Sequence, residues 1–273
     1  MRIDSITSAQ NPKIKTLLEL QEKSKARRKE GLFVVEGRRE LLHCMEAGFE
    51  PHTLFVCLDI LTDEELEEIL ATVGENFNGL KYQIMEIPQQ LYDKVAYRGG
   101  TEGVIAELRC KEMNLGNLEL KENPLVVVLE SVEKPGNLGA VLRSADASGV
   151  DAVIVCDPLT DMYNPNLIRS SIGAIFTVPV ATATSEEAIR WLKERNIRIY
   201  TAQLQDSEWY YDTDMTGGTA IVMGTEATGL TDVWRKAADA HIKIPMLGKL
   251  DSLNVSVSAA VLMYEAVRQR NIL

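Results

Sequence analysis

Two short runs constrain this chain most: LVVVL at 125–129 and AVIVC at 152–156. Neither alternates apolar with polar residues, so neither suits a sheet with one wet face. Five-residue β-branched runs fit strands covered on both sides, as in a parallel sheet packed between helices. Similar runs recur at 197–202 and 220–223, and another strand closes at Lys243 and Ile244. Helical periodicity predicts helices over 138–147, 185–195 and 255–270. Ligands of such sheets bind at the carboxyl ends of the strands, among the loops.

The N-terminal part has its own alternation. Strands are expected at 32–37, 53–56, 82–87 and 104–108, with helices at 38–47 and 63–71. The polar stretch KEMNLGNLELKEN (111–123) reads as a linker. Hence the expected organisation is a smaller α/β domain at 1–110, the linker at 111–123, and a larger α/β domain at 124–273. With 273 residues and 45% hydrophobic residues, both can fill a core.

Several function classes recede on composition. No apolar run is long enough to span a membrane, and MRIDSITSAQ has no apolar signal-peptide core. The expectation is a soluble, cytoplasmic protein. Cys44, Cys57, Cys110 and Cys156 form no C-x-x-C pair and read as free thiols, while His43, His52 and His241 are too scattered for a metal cluster. The net charge of −11 argues against a nucleic-acid partner, yet binding follows local charge. Lys13, Lys15, Lys23, Lys25, Arg27, Arg28 and Lys29 crowd one stretch whose acids are Glu19 and Glu22. Taken alone, that stretch reads as a solvated helix face.

Three loops at the predicted strand ends are chemically unusual. In ESVEKPGNLGAVLRSADASG, Pro135, Gly136 and Gly139 permit a tight turn, and Asn137 is placed to cap the helix that carries Arg143. In MGTEATGL, Glu226 lies between Gly224 and Gly229. In KIPMLGKLDSLNVSVSAAVLMYEAVRQ, Ser252 or Asn254 can cap the last helix, which opens with small residues. The G-x-G-x-x-G fingerprint of dinucleotide binding is absent.

Each loop has an ordinary structural reading, but their order does not. N-x-G-x-x-x-R (Asn137, Gly139, Arg143), G-x-E-x-x-G-L (224–230) and I-P-M-x-G-x-x-x-S-L-N-V-S (244–256) together resemble the three motifs of the SpoU, or TrmH, family of RNA 2′-O-methyltransferases. NPNLIRSSIGAIFTVPV (164–180) also resembles a family segment, so the likeness covers essentially 124–270. Thr225, Ala227 and Ser258 depart from common family residues but remain small. The N-terminal stretch looks like the family's substrate-binding domain, similar to a small ribosomal α/β protein.

The resemblance implies a C-terminal deep trefoil knot, S-adenosylmethionine as cofactor, no metal, a homodimer through the C-terminal domain, and RNA, by preference ribosomal, as substrate. By motif position it implies Gly224, Ile244 and Leu253 as cofactor-binding residues. Arg143, Asn137, Glu226, Ser252 and Asn254 become the catalytic constellation. It also makes Lys13, Lys15, Lys25, Arg27 and Arg28 candidate RNA contacts, since lysine and arginine neutralise phosphates. A non-catalytic RNA-binding protein, a transfer-RNA enzyme and a base-nitrogen methyltransferase remain as alternatives.

Overall fold

Helix starts follow local chemistry. Asn11 caps α1 (Pro12–Glu22) by accepting from the Lys13 backbone N–H, and Pro12 fits the first turn. Thr62 and Glu65 form a capping box on α4 (Asp63–Asn76), and Thr184 and Glu187 form one on α9 (Ser185–Glu194). The computed structural model describes residues 3–97, 102–225 and 228–271. It divides into two units, Met1–Glu112 with Asp161–Thr177, and Met113–Thr160 with Val178–Leu273.

In chain order, the first unit holds β1 (Ile3–Ser5), α1, α2 (Ser24–Glu30), β2 (Leu32–Glu36), α3 (Arg38–Glu46), β3 (Pro51–Val56), α4, β4 (Gln83–Glu86), α5 (Gln89–Val95) and β5 (Val104–Arg109). Its sheet order is β1-β4-β3-β5-β2; β5 runs antiparallel to both neighbours and the other pairs are parallel. Ile14, Leu17 and Leu20 of α1 and Leu91 and Val95 of α5 pack on one sheet face. Phe33 alternates to the other face of β2 and meets the rings of Phe49, Tyr163 and Phe176. Tyr163 and Phe176 belong to the 161–177 segment, which carries α7 (Pro165–Ser170) and α8 (Ala174–Thr177). Sequence reading placed that segment inside the 124–273 domain; its contacts put it in the first unit, because aromatic packing ignores chain order.

The second unit holds β6 (Leu125–Glu130), α6 (Pro135–Ser148), β7 (Ala152–Cys156), β8 (Val180–Ala183), α9, β9 (Arg198–Ala202), β10 (Glu208–Trp209), β11 (Thr219–Met223), α10 (Asp232–Ala237), β12 (Ala240–Lys243) and α11 (Val255–Asn271). All paired strands are parallel, in the order β10-β12-β9-β11-β6-β7-β8. Every residue of β6, β7 and β11 is buried, as the apolar runs require. Trp191 and Leu192 of α9 and Trp234 of α10 cover one face, while α6 packs along α11. The polar 111–123 stretch contributes to this unit: Leu115, Leu118 and Leu120 pack against its core, and the Met113 carbonyl accepts from Thr182.

Two local features differ from expectation. Helix α6 begins at Pro135 with Lys134 as its N-cap, so Asn137 sits inside the first turn and is not the cap. Proline's fixed φ and missing N–H suit the first helical position, and that starts the helix three residues early. Strand β12 ends at Lys243, leaving Ile244 to open the following loop. At the far end of α11, the Arg270 guanidinium donates to the carbonyls of Asn123, Pro124, Met215 and Gly217.

Candidate active site

Parallel order places the carboxyl ends of β9, β11 and β12 side by side. A cavity of about 420 Å³ opens there. The loops after these strands line it, and Gly224, Ile244, Leu253, Ser252 and Asn254 all contribute. Met223, Ile242 and Leu262 supply apolar walls. Such a cleft, with apolar walls and several polar groups, suits a small organic cofactor.

Gly224 is required for a reason other than cofactor approach. A Cβ there would run into the backbone of Gly229 and Leu230. The chain folds back at this point: Thr225 N–H donates to the Gly229 carbonyl (3.3 Å) and Gly229 N–H to the Thr225 carbonyl (3.0 Å). The Glu226 expectation lies outside the described residues.

Asn254 caps α11, its Oδ1 accepting from the Ser256 backbone N–H (2.9 Å) and hydroxyl (2.6 Å). Its Nδ2 donates to Asn137 Oδ1 at 3.2 Å, joining two expected catalytic residues across α6 and α11. Ser252 donates to Asp251 instead of capping. Arg143 does not join them: it is exposed, is absent from the cavity wall, and makes no ion pair among the described residues.

Sequence reasoning missed two residues. Glu130 is only 3% exposed at the end of β6. It accepts from the Thr231 backbone N–H (2.8 Å), the Thr231 hydroxyl (2.6 Å) and the Ser185 hydroxyl (3.2 Å). This ties the end of the 224–231 loop to the sheet and to α9. A carboxylate closing a run of buried apolar residues was the available signal. The second is Gln203, which lines the cavity. Its Nε2 donates to the Gln205 carbonyl (2.9 Å), while its Oε1 is buried without a partner. A buried amide oxygen with no partner is unusual, and here it belongs to a residue of the cavity wall.

The expected RNA contacts divide. Arg27 is a correction: it is 3% exposed, with Nε 2.6 Å from Asp161 and Nη1 donating to the Leu20 and Gln21 carbonyls. It is a structural ion pair and has no free donor face for phosphate. Lys13 Nζ bonds to Gln83 Oε1, whereas Lys15, Lys25 and Arg28 are exposed. The four cysteines are free, and burial raises their thiols: Cys110 to about 11, with Cys44, Cys57 and Cys156 also pushed up. None is poised as a nucleophile. Among the described residues, no group of three or more His, Cys, Asp or Glu could hold a metal ion.

Residues 124–264 match the model of the SpoU rRNA methylase family. The chain belongs to that family. Residues 11–106 match an MRM3-like substrate binding domain. A relative, the 23S rRNA (uridine(2479)-2'-O)-methyltransferase of Streptomyces viridochromogenes, is 31% identical over 89% of this chain and 85% of its own. The 23S rRNA (guanosine-2'-O-)-methyltransferase RlmB of Vibrio cholerae is 35% identical over 79% of this chain and 90% of its own. The AdoMet-bound rRNA methyltransferase from Sinorhizobium meliloti superposes with a TM-score of 0.87, at 25% identity, over 99% of each chain.

Proposed function

We propose that this protein transfers the methyl group of S-adenosylmethionine to a ribose 2′-hydroxyl in ribosomal RNA of the large subunit. The observation that carries this reading is the cavity formed by the SpoU segments, with the Asn254–Asn137 bond beside it. Gly224, Ile244 and Leu253 would hold the cofactor. The bound sulfonium supplies an already activated methyl group. The protein's part is then to orient the ribose hydroxyl and exclude water. Asn137, Glu226, Ser252 and Asn254 would position the hydroxyl, and Arg143 would clamp the adjacent phosphate and stabilise developing alkoxide charge.

This reading takes 124–273, apart from the 161–177 segment, as the catalytic domain and 1–110 as the RNA-gripping domain, with a knotted C-terminal chain. It also includes a homodimer. Leu247 is 97% exposed and Leu250 76%, and Val257 and Tyr264 of α11 are exposed too; a second copy would cover this apolar surface. Among the described residues no helix is long and apolar enough to cross a membrane, which accords with work in the cytoplasm.

The test is methyl transfer from radiolabelled S-adenosylmethionine to unmodified 23S ribosomal RNA and to transfer RNA. Label should appear as a 2′-O-methyl nucleotide in the ribosomal RNA, and Arg143→Ala should reduce it by about 100-fold or more. Label in transfer RNA alone, or on a base nitrogen, overturns the reading. Because Arg143 lies outside its own chain's cavity, mixing Arg143→Ala with Asn254→Ala chains is informative. Partial recovery of activity places Arg143 at the partner copy's site; none places it beside its own.

A further inference from the structure

The 161–177 segment, part of the SpoU resemblance, takes no part in lining the cavity. At the end of α7, the Arg169 guanidinium lies over the Tyr97 ring, 4.6 Å from its centroid. Among the described residues that ring is its only side-chain partner: it has no ion pair, and Nη1 is buried without a hydrogen bond. Guanidinium carries five N–H donors and a permanent charge. Taking such a group half out of water without an anion is costly, and a tyrosine face repays only part of that cost. Arg27, in the same unit, shows the usual solution, a carboxylate and two carbonyls.

The surroundings hold Arg169 in place. Tyr97 is 45% exposed, and its backbone N–H donates to Glu36 Oε2 (2.8 Å). After Arg169 the chain turns sharply: Ile172 takes φ 53°, rare for a β-branched residue, and Gly173 takes φ 81°. Ile172 N–H donates to the Arg169 carbonyl and Gly173 N–H to the Ile168 carbonyl, fixing the turn. Backbone strain of this kind persists where the fold enforces it, often at ligand-binding positions.

We infer that Arg169, propped on Tyr97, binds a backbone phosphate of the substrate RNA. The inference rests on the reading of this protein as an RNA methyltransferase. It puts an RNA contact of the first unit at α7 and adds it to the exposed lysines of the N-terminal stretch. Stacking on an aromatic ring pre-orders the guanidinium, so less freedom is lost when phosphate docks.

The competing account is a strut that merely fastens α7 to Tyr97. Salt dependence separates the two, because each neutralised phosphate adds about 0.7–0.9 to the slope of log affinity against log salt. The experiment measures binding of the full-length protein to 23S ribosomal RNA and to transfer RNA transcripts across potassium chloride concentrations, beside thermal melting and methyl transfer. Arg169→Gln should weaken binding and lower the slope by nearly one unit, while Arg169→Lys keeps the slope. Tyr97→Leu, which frees the cation without removing it, should weaken binding at unchanged slope; this variant and Arg169→Lys carry the test if Arg169→Gln melts early. A wild-type slope in Arg169→Gln, or Tyr97→Leu binding RNA as wild type does, overturns the inference. Wild-type protein that transfers no methyl group yet loses slope in Arg169→Gln discards the proposed activity and keeps the phosphate contact. Wild type that binds neither RNA discards both.

Discussion

The two loops that frame the cavity are built in opposite ways. After β11, Thr225 pairs with Gly229, Gly224 leaves no room for a Cβ, and Glu130 holds Thr231 with two hydrogen bonds. The 244–254 loop has bulky, exposed Leu247 and Leu250, and its clearest anchor is Asn254 at its end. The first is therefore held by its own bonds at Gly224, Thr225 and 229–231, and the second turns bulky apolar side chains outward.

That contrast can be broken most severely at Gly224. Gly224→Ala forces backbone apart, so it should cost about 3 kcal/mol of stability and abolish cofactor binding, read by thermal melting and calorimetry. A stable variant that binds S-adenosylmethionine normally would show that the first wall is not rigid. Next in size, Glu130→Ala strands the Thr231 N–H and hydroxyl, while the Ser185 hydroxyl keeps Asp157 (2.6 Å), and should cost about 2 kcal/mol. Methyl transfer should fall with it, and Glu130→Gln should recover only part, since an amide nitrogen cannot accept from Thr231. Asn254→Ala removes a helix cap worth ~1 kcal/mol, yet activity should fall much further than stability. Equal losses would reduce Asn254 to a cap. Smallest in stability is Leu247→Ser, expected within about 0.5 kcal/mol of wild type because the side chain is exposed. Its effect should show instead in sedimentation, as weaker self-association; an unchanged oligomer would mean the second loop is left open by design.

Legibility followed the distance over which each signal acts. The apolar runs LVVVL and AVIVC announced their strands because burial on both faces leaves its mark within five residues. The cavity residues were legible through motif order, and Gly224, Ile244, Ser252, Leu253 and Asn254 meet around one space. Asn137 was misplaced as a cap because its side chain suited the role, but Pro135 decides where α6 starts. Arg27 resembled its basic neighbours, and nothing nearby in the chain reveals Asp161, 134 residues away, as its partner. The same long reach moved Asp161–Thr177 into the first unit. Glu130 and Gln203 are ordinary residues in sequence, distinguished by what surrounds them in space.

The Arg270 clamp has a consequence in time. Helix ends normally fray, opening and closing far more often than a core strand does. At the end of α11, opening the last turn must release four carbonyls at once, drawn from the entrance to β6 and the segment before β11. The final turn should therefore exchange its amide hydrogens at the pace of the sheet, and Arg270→Ala should return it to the rapid exchange of an ordinary helix end.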